Sequence, residues 1–91
     1  MAVFEKRIRV EDLDDKLVDI LSKRMNIVDE IGTLKKEHNV SVLQNERWQA
    51  IINRMKSEEN QKGLTEDFIL QLFKLVHQES ISHQNKIINK K

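Results

Sequence analysis

Apolar residues at Val10, Leu13, Leu17, Ile20, Leu21, Ile27, Val28, Ile31 and Leu34 recur every three or four positions, and no proline interrupts them. That period is one face of a helix. The stripe predicts a continuous helix from about Glu5 to His38, with Gly32 its only weak point. At 1.5 Å per residue such a helix is roughly 50 Å long, about twice the diameter of a compact domain of this size. The chain has only 91 residues. About 45 of them remain to cover some nine turns of apolar stripe, so part of it would face water in a monomer. A dimer with the long helices packed side by side would cover it; a plain three-helix bundle with a frayed first helix is the alternative.

The remaining segments read as two shorter helices. His38, Asn39 and the β-branched run Val40-Ser41-Val42 suit a helix end, since Asn tolerates the left-handed conformation there. A second helix, about Gln44 to Lys62, has Trp48, Ile51, Ile52 and Met55 on one face and stops at Gly63. A third begins at Thr65, whose hydroxyl can cap free backbone N–H groups, while Glu66 and Asp67 suit the positive end of the helix dipole. It runs to about Asn89 with Ile69, Leu72, Phe73, Val76, Ile87 and Ile88 on one face, flanked by Phe68 and Leu75. Two glycines and no proline leave no turn chemistry for a sheet protein. The expectation is a single all-α domain over residues 1–91, with a very long first helix.

Sixteen Lys and Arg against fifteen Asp and Glu give a net charge of +1, which removes the bulk electrostatic case for nucleic acid or an anionic membrane. Without cysteine there is no disulfide, thiolate nucleophile or Cys-ligated zinc. No apolar run approaches the roughly 18 residues of a membrane span, and the N-terminus lacks the apolar core of a signal peptide. A soluble, cytoplasmic protein is expected.

Polar groups on apolar faces carry the functional signal, because burying them without partners is unfavourable. With 100° between residues, the first helix's apolar set centres near 230°, Arg24 lies at about 240° and Lys35 at about 260°. Both cations sit mid-stripe, about three turns apart, and can converge on one small ligand. Arg7, near 340° at the far end, cannot join them within one chain but could reach a partner's cluster in a side-by-side dimer. On the third helix Ser80 and Gln84 fall on the apolar face one turn apart. On the second, Arg47 lies at the edge of the apolar face and Gln44 within it. No acidic residue in the first-helix stripe neutralises Arg24 and Lys35, so an anionic ligand, such as a dicarboxylate, is the natural counter-charge. Trp48 reads first as core. His38, His77 and His83 have no metal-ligand spacing and read as solvated or capping residues. No nucleophile constellation and no phosphate loop occurs.

The order Arg7, Leu13-Asp14, Arg24, Ile31-Gly32, Lys35, Glu46-Arg47, Gly63-Leu64, Leu72-Phe73, Ser80, Gln84 resembles the all-helical class of chorismate mutases over about 80 residues. The resemblance implies an intertwined helical homodimer whose long first helices pair, with two sites that each draw one arginine from the other chain. It implies conversion of chorismate to prephenate, towards phenylalanine and tyrosine, with no cofactor and no metal. By the same resemblance Arg24 and the other chain's Arg7 bind the substrate carboxylates, helped by Ser80 and Arg47, while Lys35 and Gln84 donate to the ether oxygen. The sequence departs from the pattern twice. Trp48, which can only donate, replaces a glutamate that accepts from the ring hydroxyl, and Gln44, which can still accept, replaces an aspartate. Isochorismate-pyruvate lyases share the scaffold and are the alternative activity. Similar domains also occur fused to DAHP synthases, where they serve regulation.

Overall fold

The computed structural model describes residues 2–41, 45–57 and 62–89. These form three helices: α1 (Ala2–His38), α2 (Asn45–Lys56) and α3 (Glu66–Ile88). The long first helix is present and starts three residues earlier than its apolar stripe suggests. It ends as expected, because Asn39 takes a left-handed φ of 56° and the Val40 N–H reaches back to the Lys35 carbonyl at 2.9 Å. That bond closes a Schellman-type cap. Thr65 caps α3, its Oγ1 accepting from the Phe68 N–H at 3.2 Å.

The second helix ends at Lys56, and residues 58–61 of the expected span to Lys62 lie outside the described residues. Its last turn is closed at Ser57, whose N–H and Oγ both bond to the Arg54 carbonyl. Serine competes for backbone in this way. The chain turns again at Lys62 and Gly63, both with positive φ.

α3 packs against α1 on one side and α2 on the other. Contacts rise together along both helices, from Arg24–Ser80 through Asp29–His83 to Gly32–Gln84, so α1 and α3 run parallel. Only the second half of α1 is used. Every residue from Ala2 to Ile20 is exposed, including Leu13 at 61% and Ile20 at 62%. The molecule measures 56 × 28 × 16 Å, its long dimension that of α1 itself. The buried apolar residues are Val28, Ile52, Ile69 and Val76.

Gly32 lets the two parallel helices meet. A Cβ there would stand 3.2 Å from the Gln84 Cα and 3.3 Å from its Cγ. Gly32→Ala gains roughly 1 kcal/mol of helix propensity that the crowding offsets, so its melting temperature should stay near that of the parent. Gly32→Val cannot be accommodated and should destabilise by about 1–3 kcal/mol; thermal unfolding followed by circular dichroism measures both.

Candidate functional site

Four residues of α1 at helical spacing, Arg24, Val28, Ile31 and Lys35, face His77, Ser80, Ile81 and Gln84 of α3 across a cavity of about 130 Å³ closed by Arg47 and Ile51 of α2. The fold thus brings together five residues singled out in the sequence: Arg24, Lys35, Arg47, Ser80 and Gln84. Arg7 lies on the exposed part of α1, seventeen residues and roughly 25 Å of helix from Arg24. Gln44 lies outside the described residues. Trp48 stands behind the cavity wall, its ring stacked on His77 with centroids 4.3 Å apart and planes inclined by 22°.

His77 and His83 differ from expectation. His77 is not a cap but a half-buried residue that lines the cavity. The sequence does hold a signal for it: positions 77 and 84 are seven apart, two helical turns, and so share a face. His83 bridges helices, with Nδ1 2.7 Å from an Asp29 carboxylate oxygen and Nε2 3.5 Å from Glu79.

Hydrogen bonds fix the centre of the site. The Arg24 Nη1 donates to the Ser80 Oγ at 2.6 Å, and the Ser80 hydroxyl donates in turn to the Val76 carbonyl at 2.8 Å. Ser80 therefore aims the guanidinium rather than offering a free donor. The Gln84 side chain is buried; its Nε2 donates to the Ser80 carbonyl at 3.3 Å, while its Oε1 has no partner among the described residues. An unpartnered buried polar atom is unfavourable by about 1–3 kcal/mol, and here it adjoins the cavity. Rotating the amide by 180° would present the NH₂ instead.

Among the described residues no carboxylate lines this volume. Burial, and then repulsion from Arg47, lowers the pKa of both Arg24 and Lys35 below their ordinary values. Burial, and then Arg24, does the same to His77, which keeps its imidazole neutral near pH 7. Three cations and a neutral ring thus surround one small space, an arrangement that attracts a compact polyanion and offers donors to it. A second hollow of about 250 Å³ shares Arg24, Arg47 and Ile51 and adds Arg54, Met55 and Phe73. On the other side of the α1–α3 pair an open groove of about 540 Å³ is lined by Val18, Leu21, Met25, Leu72, Leu75 and Val76 among others, and no Lys or Arg lines it.

Compared with known families, residues 6–85 match chorismate mutase type II. The chain belongs to this family. Among curated relatives of this chorismate mutase type II chain, the bifunctional chorismate mutase/prephenate dehydratase of Buchnera aphidicola subsp. Acyrthosiphon pisum is 30% identical over 84 residues, 92% of this chain and 22% of the relative. The T-protein of Haemophilus influenzae is 25% identical over 85 residues, 93% of this chain and 22% of the relative. The chain therefore spans about a fifth of the length of these relatives. No solved structure matches it. Among the described residues no helix is long and apolar enough to cross a membrane.

Trp48 is the chain's only tryptophan, and it stacks on a ring that lines the site. Titration with succinate, a simple dicarboxylate, should change its fluorescence. The apparent affinity should weaken with added salt and fall about tenfold or more in Arg24→Ala, as expected when one charged partner of a carboxylate is lost.

Proposed function

We propose that this chain converts chorismate to prephenate. The observation that carries the reading is the cavity where Arg24, Lys35 and Arg47 meet the buried Gln84 amide with no carboxylate among the lining residues, in a chain of the chorismate mutase type II family. The rearrangement is unimolecular and pericyclic, so it calls for no acid, base, nucleophile or cofactor, and positioning supplies most of the catalysis. Arg24, aimed by Ser80, and Arg47 hold a carboxylate. Lys35 and Gln84 donate to the ether oxygen, where negative charge grows as the C–O bond breaks. Such donors stabilise the transition state more than the ground state, each by about 3–4 kcal/mol.

The site is completed in a homodimer. Two features of the single chain support this: the apolar side chains of α1 left exposed from Val3 to Ile20, and the apolar groove between α1 and α3. A second copy of α1 laid along the first covers both and carries Arg7 of the partner subunit towards the second substrate carboxylate. A cytoplasmic setting and a small-molecule dicarboxylate substrate belong to the same reading. As to a fused or associated activity, the Buchnera relative's name pairs its mutase with a prephenate dehydratase. That supports a prephenate-consuming partner better than the DAHP synthase suggested by the resemblance.

Loss of chorismate absorbance with purified protein tests the activity, and isochorismate offered to the same preparation tests the lyase alternative. Chorismate should be consumed and isochorismate left intact. Lys35→Ala should lower turnover by about two to three orders of magnitude without unfolding the chain, and retention of more than a tenth of the parent rate would remove Lys35 from the ether oxygen.

Sharing of sites is tested by mixing. Arg7→Ala and Arg24→Ala homodimers should both be nearly inactive. Refolded together in equal amounts, they should form mixed dimers in about half of all pairings. In each of these, one site recovers both arginines while the other lacks both, so about a quarter of all sites are restored. No recovery, with mixed dimers confirmed by mass, would mean that Arg7 does not serve the opposite chain.

A further inference from the structure

The ring hydroxyl of chorismate is a donor, and among the described residues most of what lines the cavity cannot receive it. Arg24, Lys35 and Arg47 donate only. Val28, Ile31, Ile51 and Ile81 are apolar. The Ser80 oxygen already accepts from Arg24 and directs its proton to the Val76 carbonyl. Trp48, where a glutamate acceptor is expected, is a donor alone and lies behind His77. Gln84 lies seven residues from His77 along α3, roughly 10 Å, at the end of the cavity where Gly32 and Lys35 stand. His77 occupies the opposite end, near Arg24, facing the cavity from α3 while its ring face rests on Trp48 of α2.

We propose that His77, clamped against Trp48, accepts the hydrogen bond of the substrate's ring hydroxyl and so determines which isomer the site takes. The acceptor function is thereby moved from α2 to the facing turn of α3, with Trp48 as a positioning residue that fixes the imidazole plane. The charged groups around that cavity are Arg24 and Lys35 from α1 and Arg47 from α2, all cations. Burial together with Arg24 holds the imidazole pKa below its ordinary value, which preserves a ring nitrogen lone pair at neutral pH. This inference rests on chorismate being the substrate.

The test compares chorismate with an analogue whose ring hydroxyl is replaced by hydrogen. His77→Leu should lower kcat/KM for chorismate roughly 10- to 100-fold, as when a buried hydrogen-bonding group is left without its partner, and leave the deoxy analogue within about threefold. His77→Gln, which retains an acceptor, should recover part of the loss, and a melting curve shows whether either variant is folded. In the parent, kcat/KM for chorismate should fall as pH drops through the His77 ionisation, below the ordinary histidine range, since imidazolium cannot accept. That acid limb should be missing for the deoxy analogue and in His77→Gln. Equal losses on both substrates in folded His77→Leu, or an acid limb that persists in His77→Gln, overturns the role of His77 while leaving the mutase activity standing. A parent protein that does not consume chorismate overturns both.

Discussion

The parallel contact between α1 and α3 is the constraint from which the site follows. Along it the Arg24 guanidinium meets the Ser80 hydroxyl at 2.6 Å, Asp29 meets His83 at 2.7 Å, and Gly32 admits the backbone of α3 at Gln84. These three meetings set the register of one helix on the other. With that register fixed, Lys35 and Gln84 fall at one end of the cavity and Arg24 and His77 at the other. A helix slipped by one residue would rotate each side chain by 100° and disperse them. Because the same contact uses only the second half of α1, it also leaves the first half bare.

The electrostatics of the cavity run against the isolated fold and in favour of a ligand. A basic group whose pKa is lowered is less comfortable charged in the folded chain than in water, and Arg24, Lys35 and His77 are all shifted that way. For the two that stay charged at neutral pH, nearby Arg47 adds repulsion. An anion bound among them offsets both the burial and the repulsion, so binding and folding favour the same direction. The arrangement is selective as well, because a site whose lining holds cations, a buried amide and no carboxylate penalises cationic ligands and rewards compact anions.

Much of this was legible in the sequence, for physical reasons that differ from element to element. The period of α1 is long and regular, and its end at Asn39 follows from the chain's need for a left-handed residue there. Thr65 announced its cap. Arg24, Lys35, Ser80 and Gln84 stood out because a polar group on an apolar face needs a partner. The end of α2 at Lys56 was less visible, since the bond of the Ser57 hydroxyl to the Arg54 carbonyl that closes its last turn leaves no mark on the apolar period. His77 was missed because it lies at the edge of its apolar face, where a histidine ordinarily faces water. Its burial depends on Trp48, a residue of another helix, and no periodicity within α3 reports that stacking.

Trp48 of α2 and His77 of α3 meet at the edge of the cavity. A neutral imidazole among Arg24, Lys35 and Arg47 is an acceptor that carries no charge of its own. The indole then acts structurally. Stacked at 4.3 Å, it limits the rotation of His77 and excludes water from one face of the ring. Desolvation from that side helps keep the imidazole uncharged among three cations. Acceptor strength, ring orientation and net charge are therefore linked through one aromatic contact, and the two residues that form it have to be read as a pair.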